Sequence, residues 1–392
     1  MKQVMVKRFT QITSKELIEV LGLTIKHDQE NKLITFLCFL SAYTEESQFN
    51  ISFNAPSSTG KSYIPLEIVS LFPTEDVIEV CYCSPTAFFH DYGEMNAAKD
   101  GYSINLERRI IIFLDQPHSQ LLAHLRPLLS HDKKQLSLKI TDKSEKGGLR
   151  TKNITMKGFP AVVFCSAGLR IDEQESTRFI LLSPEMSQEK IREAIQEKID
   201  KEADKATYTN ILENKPKRQS LKQRIRAIKG EHITDIIIAN PKLIEEEFLR
   251  RHKTLKPRHM RDVGRVTSLV KVLALLNLWG REKDGAKIIA NEEDIREAFR
   301  IWDVVYRSQE LNLPPYVSNI YTDVILSLYK EKNDGITRQE IMKKHFEVYG
   351  RILEDWRLRQ QIIPPLETAG LIIQQPDEDD KRNMLVYAQG IL

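Results

Sequence analysis

Cysteine is scarce in this sequence, long apolar runs are missing, and charge of one sign barely prevails. Only four cysteines occur in 392 residues: Cys38, Cys81, Cys83 and Cys165. Three lie in apolar, strand-like or helix-like runs, so reduced core thiols in a reducing compartment are expected, not a disulfide framework. Cys81 and Cys83, with His90 downstream, fit no common zinc spacing; alternate positions on one strand explain the pair better. The longest apolar run, around Leu33–Ala42, is too short and too polar to span a bilayer. The polar N-terminus carries no signal-peptide pattern, so a cytoplasmic protein without a membrane partner is expected. A net charge of only +3 requires any nucleic-acid surface to come from local clustering of basic residues. The balance of 41% hydrophobic and 29% charged residues is ordinary for a globular chain, and the length fits two or three domains.

Strands alternate with helices through the first half, which predicts an α/β fold with a parallel sheet. The expected strands are Phe49–Asn54, Asp76–Cys83, Arg109–Leu114, Ala161–Cys165 and Phe179–Leu182. Helices are expected at Lys32–Tyr43, Lys61–Leu71 and Gln120–Leu129. Leu136–Thr141 and Lys152–Lys157 look like the arms of a hairpin. Residues 187–229 are charged with helical spacing, and Pro241 to about Ser308 reads as helical. Leu313-Pro314-Pro315 marks a break. Beyond it the order is three helices and a hairpin, the pattern of a winged helix-turn-helix. The predicted organisation is a helical lead-in (1–30), a nucleotide-binding core (31–185), a helical lid or linker (186–312) and a winged-helix domain (313–392).

The strongest local signal is Ala55-Pro56-Ser57-Ser58-Thr59-Gly60-Lys61-Ser62. It matches the phosphate-loop pattern of a glycine, four residues and Gly-Lys-Ser/Thr, with Ala55 in place of the first glycine. Gly60 lets the backbone bend so that N–H groups point at phosphate oxygens. Lys61 reaches the β- and γ-phosphates as a point charge. The Ser62 hydroxyl ligates Mg²⁺. The helix that follows offers its positive end to the phosphates. ATP and Mg²⁺ are therefore the expected cofactors.

Ile110-Ile111-Ile112-Phe113-Leu114-Asp115 reads as a buried strand with a carboxylate at its tip. In P-loop ATPases such an aspartate holds the magnesium, usually through water. Gln116 comes next. An amide cannot take a proton, so Gln116 orients the attacking water, or the base lies elsewhere, or hydrolysis is slow.

The motif order resembles the AAA+ helicases of the minichromosome maintenance (MCM) type, and more closely their divergent relatives carried by mobile elements and phages beside primase genes. The resemblance covers roughly residues 30–310 and is carried by motifs. It implies a P-loop AAA+ parallel-sheet ATPase with a helical lid, working as a homo-oligomeric ring, with a hexamer expected. Gln116 stands where many AAA+ ATPases carry a glutamate that activates water. The hairpin at about 136–157 stands where these helicases place a pre-sensor hairpin in the central pore. Residues 133–157 hold eight Lys/Arg against Asp142 and Glu145, with Gly147-Gly148 as a flexible turn. Lys143, Lys146, Arg150 and Lys152 are the candidate DNA contacts, sequence-blind and salt-sensitive. Ser166 occupies the sensor position, where MCM proteins use asparagine. Ser176-Thr177-Arg178-Phe179 resembles the family's Ser-Arg-Phe, which implies that Arg178 reaches the nucleotide of a neighbouring subunit. Among Lys256-Pro257-Arg258-His259-Met260-Arg261-Asp262, Arg258 is the first choice and Arg261 the second for the lid's sensor arginine.

The expected function is ATP-driven DNA unwinding or translocation, with single-stranded DNA in a central pore, in mobile-element or phage replication. The alternatives are an initiator- or loader-type ATP switch on duplex DNA and a non-motor ATP-binding scaffold. The basic hairpin favours the motor and Gln116 the switch. Residues 214–230 hold seven basic side chains and no acidic one. They either track a phosphate backbone, form a solvated helix, or pair with Glu245–Glu247. Arg351, Trp356, Arg357 and Arg359 of the recognition helix face duplex DNA in one reading and protein in the other. Pro364-Pro365 interrupts that helix, and the acidic wing Asp377–Asp380 repels phosphate. The chain carries no primase or nuclease motif, nor the N-terminal DNA-binding domain of MCM helicases, so a primase or initiator partner is expected.

Overall fold

The computed structural model describes residues 9–81, 84, 88, 93–95, 101–117, 119–142, 150–171, 177–378 and 381–389. The chain opens with α1 (Ser14–Leu21) and α2 (Gln29–Ser41). It then alternates through β1 (Asn50–Asn54), α3 (Tyr63–Val69), β2 (Val77–Val80), β3 (Glu94–Met95), β4 (Gly101–Asn105) and β5 (Ile110–Phe113). There follow α4 (Ser119–Leu129), β6 (Gln135–Asp142), β7 (Arg150–Lys157), β8 (Ala161–Ser166) and β9 (Phe179–Leu182).

The central sheet has five parallel strands in the order β2-β5-β8-β1-β9. Its sequence explains its burial. Ile110-Ile111-Ile112-Phe113 is buried along its whole length, as a parallel strand covered on both faces must be. Successive side chains go to opposite faces. Ile110, Ile112, Val163 and Cys165 join the core under α2, whereas Ile111, Phe113, Val162 and Phe164 join the core under α4. After a polar first turn, helix α2 is buried on every side from Lys32 onward; Leu33, Phe36, Leu37 and Phe39 are each fully enclosed. Each contributes roughly 1.5–3 kcal/mol of burial. The Asn50 side chain locks β1 to its surroundings by donating to Leu129 O (3.1 Å) and accepting from Val162 N (3.0 Å).

The predicted hairpin is present: β6 and β7 pair antiparallel from Gln135↔Lys157 to Asp142↔Arg150. It does not stand alone. β4 runs parallel to β7, and β3 pairs antiparallel with β4, so the hairpin belongs to a four-stranded sheet. Gly101 is required at that junction, because a Cβ there would lie 1.8 Å from Asn153 O. The short polar segments Glu94–Met95 and Gly101–Asn105 carry little apolar alternation of their own, so the sequence does not announce these two strands.

Beyond the core come α5 (Gln188–Ala203), α6 (Lys205–Glu213), α7 (Pro216–Gly230), β10 (Asp235–Ile238), α8 (Pro241–Arg251) and α9 (His259–Leu276). β11 (Glu282–Asp284), β12 (Lys287–Ala290) and α10 (Glu292–Glu310) complete this region. The all-helical expectation for 241–308 is corrected by β11 and β12, which join β10 in a three-stranded sheet. β11 is wholly charged and has no strand propensity. Its signal was Asp284-Gly285, which opens a two-residue hairpin turn with Gly285 at φ +62°. α9 and α10 share one continuous apolar core with α2 and one face of the central sheet.

The C-terminal segment starts with α11 (Pro315–Asn319), runs through a π-helical stretch (Ile320–Ile325) and continues as α12 (Leu326–Lys332). α13 (Arg338–Tyr349) is closed at each end, by a Thr337/Glu340 capping box and by Gly350 at φ +64°. α14 (Asp355–Arg357), a second π-helical stretch (Leu358–Ile362) and α15 (Ile363–Thr368) follow. Pro364 and Pro365 sit in the first turn of α15, where their missing N–H groups cost nothing, so they restart the helix instead of ending it. β13 (Ile372–Pro376) and β14 (Met384–Ala388) make an antiparallel hairpin, and Ile336 bridges to Val386 beside it. No helix among the described residues is long and apolar enough to cross a membrane.

Candidate functional site

The loop Ala55–Ser62 leaves the carboxyl end of β1, and Asp115 lies just past the carboxyl end of β5. β8 alone separates the two strands. Two inter-strand spacings put their backbones roughly 10 Å apart. Ligands in open α/β sheets bind outside these carboxyl ends. Ala55 and Pro56 are buried, while Ser57 and Ser58 are exposed and Thr59 through Ser62 half-exposed. Ala55 N donates to Ser166 O (3.2 Å), and Thr59 Oγ1 donates to Pro56 O (2.9 Å), closing the loop on itself. Gly60 has φ +89° and Ser58 φ +64°, so the backbone turns sharply twice. Only glycine takes the first of these without strain. The helix expected at Lys61–Leu71 is shorter in fact, Tyr63–Val69, and the Ser62 side chain does not cap it.

Cys165 lies between the two halves of this site. Its thiol donates to Lys61 O (3.4 Å) and feels the charges of both Lys61 and Asp115. Burial pushes the thiol up to about 12, against a lowering contribution from the Ser62 hydroxyl, so it stays protonated. Asp115 and Gln116 are exposed at the edge of the crevice. The Asp115 carboxylate accepts the Gln116 backbone N–H (2.8 Å). Ser166 Oγ donates to Gln116 Oε1 (3.0 Å) and accepts from Gly168 N (3.0 Å). Lys61, Ser62, Asp115, Gln116 and Ser166 are thus brought to one edge, and this edge is open to solvent.

The arginines are elsewhere. Phe179 pairs with Asn50, the first residue of β1, so Arg178 lies at the amino edge of the sheet, away from the loop. Arg178 Nε donates to Ser130 Oγ (2.8 Å). Arg261 is exposed and donates to Thr177 Oγ1, and Arg265 donates to Thr177 O (2.7 Å). Burial pushes the Arg265 guanidinium down to about 10 despite its partner Asp262 at 3.0 Å. Arg258, the first choice from sequence, is a fastener: its Nε bonds Asp262 (3.0 Å) and its Nη1 bonds Asn312 (2.7 Å). Of the two, Arg261 is the more accessible. Neither faces the loop of its own chain.

Lys143, Lys146 and Ser176 lie outside the described residues; so do Cys83 and His90. Arg150 and Lys152 sit on β7, across from Asp142 and Ile140. The basic run 214–230 divides. Arg218 and Arg224 are buried, Arg218 on Ser70 (3.0 Å) and Arg224 on Leu276 O (2.8 Å). Lys222 pairs with Glu213 (2.5 Å) and Lys229 with Glu75 (2.8 Å). None of these partners belongs to Glu245–Glu247. One His/carboxylate group among the described residues has its ligand atoms within 4.8 Å of one another: His252, His259 and Glu310. His259 Nδ1 accepts Lys256 N–H (3.2 Å), which leaves its proton on Nε2 toward Glu310 (3.2 Å). Glu310 also takes the Lys256 ammonium, so His259 and Glu310 are held in a polar network between α9 and α10, whereas the Nε2 of the buried His252 beside them has no hydrogen-bond partner.

The sequence places Arg351 in the recognition helix. In the structure it precedes that helix, and its Nη1 donates to Ser57 O (2.8 Å), inside the phosphate loop. Nothing in its local sequence marks this contact, which joins positions 294 residues apart. Comparison with protein-family models and with curated proteins finds no match to this chain.

Proposed function

We propose that this chain is a Mg²⁺-dependent ATPase of the AAA+ kind, and that it drives an MCM-like DNA helicase or translocase assembled as a ring. The carrying observation is the arrangement of the central sheet: the loop with Lys61 and Ser62 and the acid Asp115 share one carboxyl edge with a single strand between them. The residues fit the group. Gly60 has the backbone that a phosphate cradle needs, the loop is open, and Ser62 and Asp115 supply hard oxygen donors on either side of Cys165. Lys61 would hold the terminal phosphates, while Ser62 and Asp115 would hold magnesium, which neutralises charge as it develops on the transferring phosphoryl. Gln116, steered by Ser166, would orient water.

Arg178 and Arg261 at the opposite edge support a composite site. A head-to-tail neighbour is the one way to bring them to a phosphate loop, and a head-to-tail interface that closes gives a ring. The antiparallel hairpin β6–β7, with Arg150 and Lys152 at its outer end, supports contact with a nucleic-acid backbone in the bore. A second reading, an ATP-controlled initiator or loader switch, draws on Gln116, which offers no general base. The deciding measurement is the ATPase rate with and without single-stranded DNA, for the wild type and Lys61→Ala. DNA-stimulated hydrolysis that the variant loses supports the motor. Hydrolysis indifferent to DNA favours the switch, and hydrolysis retained by Lys61→Ala sinks both.

A further inference from the structure

A closed circuit of hydrogen bonds joins the C-terminal segment to both ends of the phosphate loop's first half. Asn54 ends β1, and its carbonyl accepts from Ser183 Oγ (2.7 Å). Ser183 Oγ accepts in turn from Tyr316 N (3.0 Å), at the start of α11. The Tyr316 hydroxyl meets His345 Nε2 (2.9 Å), and His345 Nδ1 meets Arg351 O (2.9 Å). A carbonyl only accepts, so His345 carries its proton on Nδ1 and accepts the Tyr316 O–H hydrogen bond at Nε2. His345 is fully buried, which fixes this relay in place. Arg351 then returns to the loop by donating to Ser57 O (2.8 Å). The circuit starts at residue 54 and comes back at residue 57.

A second tie acts on the other side of the site. Leu169 is fully buried in the core of the C-terminal segment, against residues such as Leu313 and Leu366. Its N–H donates to Gln361 Oε1 (3.4 Å). One residue earlier, Gly168 O accepts from Asn54 Nδ2 (3.0 Å), and Gly168 N donates to Ser166 Oγ. The turn that carries Ser166, and through it Gln116, is therefore anchored in the same segment that holds Ser57.

We propose that the C-terminal segment is a clamp on the nucleotide site of its own chain, with Arg351 as the positioning residue that holds the phosphate loop ready for a nucleoside triphosphate and passes its occupancy to the segment. This deepens the ATPase reading and rests on it. The physical case is pre-organisation. The exposed loop must hold two left-handed residues, and a charged donor on Ser57 O restricts the alternatives it can sample. When phosphate fills the loop, Ser57 and the Ser166 turn are the points at which any shift reaches α13, α14 and the π-helical stretch between Arg357 and Ile363.

The test uses the full chain, with Mg²⁺ and a fluorescent ATP analogue for affinity, and hydrogen exchange with and without Mg²⁺-ATPγS. Arg351→Ala is expected to weaken nucleotide binding about tenfold, the loss of one charge-assisted bond, with the effect on KM and not on kcat. Arg351→Lys is expected to restore most of that affinity. In the wild type, nucleotide is expected to slow exchange across residues 345–361, and Arg351→Ala to abolish that response. Wild-type affinity in Arg351→Ala, or exchange at 345–361 that ignores nucleotide in the wild type, overturns the clamp. Lys61→Ala separates the two claims: undiminished binding there overturns the nucleotide site itself, whereas lost binding there with unaltered Arg351→Ala overturns the clamp alone.

Discussion

Ser166 Oγ donates a 3.0 Å hydrogen bond to the side-chain oxygen of Gln116, so the last residue of β8 steers the residue beside the acidic tip of β5. The bond fixes which end of the amide faces the crevice. With the oxygen held by Ser166, the NH₂ group is left to meet water or phosphate. An amide in this state positions but does not deprotonate. Gln116→Glu keeps an acceptor for Ser166 and adds a base, so kcat for ATP hydrolysis is expected to rise roughly tenfold or more. Nucleotide affinity should stay nearly constant. Ser166→Ala frees the amide and should lower kcat in the wild-type background. Steady-state kinetics on the two variants check this, and a Gln116→Glu enzyme no faster than the wild type shows that proton removal is not what limits turnover.

The separation of Arg178 from Lys61 on opposite edges of the sheet leads to a mixing experiment. Arg178→Ala and Lys61→Ala should each be inactive in hydrolysis, for different reasons: one lacks the donated arginine, the other its own loop. In a mixed ring, an Arg178→Ala subunit with an intact loop can sit beside a Lys61→Ala subunit with an intact arginine. By random pairing roughly a quarter of the interfaces are then complete. Activity should therefore reappear in the mixture. A mixture as dead as its components places Arg178 in a structural role, through its bond to Ser130.

The central sheet was readable because its strands are short, apolar and bounded by loops with marked chemistry. Ile110–Phe113 and Phe179–Leu182 need no partner to announce themselves. Met384–Ala388 stands out likewise as a short apolar run after a charged turn. β3, β4 and β11 were not, because their strand character comes from what they pair with and not from their own side chains. The site divides in the same way. Lys61, Ser62 and Asp115 follow from local pattern. Arg258 and Arg261 differ by less than one helical turn, so only tertiary packing decides that Arg258 turns inward to Asp262 and Asn312. Arg351 reaches Ser57 through folding of the whole chain, which no local pattern encodes.

Arg281 and Asp294 make a test of the region that carries Arg261. Both side chains are only 3% exposed, and the guanidinium grips the carboxylate at 2.7 and 2.6 Å. Asp294 also accepts Asn291 N (3.0 Å) in the capping box of α10. Removing the cation leaves a buried carboxylate with no counter-charge. Arg281→Ala is expected to destabilise the fold by about 3–5 kcal/mol. Arg281→Lys keeps the charge but loses the two-pronged geometry and should fall between. Urea denaturation reads both, and an alanine variant within 1 kcal/mol of the wild type, as an order-of-magnitude bound, contradicts the account.

His131 gives the chain a defined acid sensitivity. It stands just past α4 with φ +56°, its N–H on Leu128 O (3.1 Å) and its ring edge-on to Phe159 at 4.6 Å. Burial pushes the imidazole from its ordinary 6.5 down to about 4, against a weaker raising pull from Asp132. The folded chain thus holds His131 neutral where the unfolded chain charges it. Above pH 6.5 neither form binds the proton, and the stability is intact. Between 6.5 and 4 the unfolded state alone takes it up, so stability falls with pH at up to one proton, and the loss levels off below 4. At a pH of about 5 the deficit is about 2 kcal/mol. Asparagine tolerates the left-handed backbone and does not titrate, so His131→Asn isolates the effect from His252 and His345, whose burial lowers them too. Unfolding free energies measured from pH 7 to 4 should decline less steeply in His131→Asn, by about that amount at pH 5. Parallel curves for the two proteins mean that water reaches the ring and that its enclosure by Phe159 is not what governs its charge.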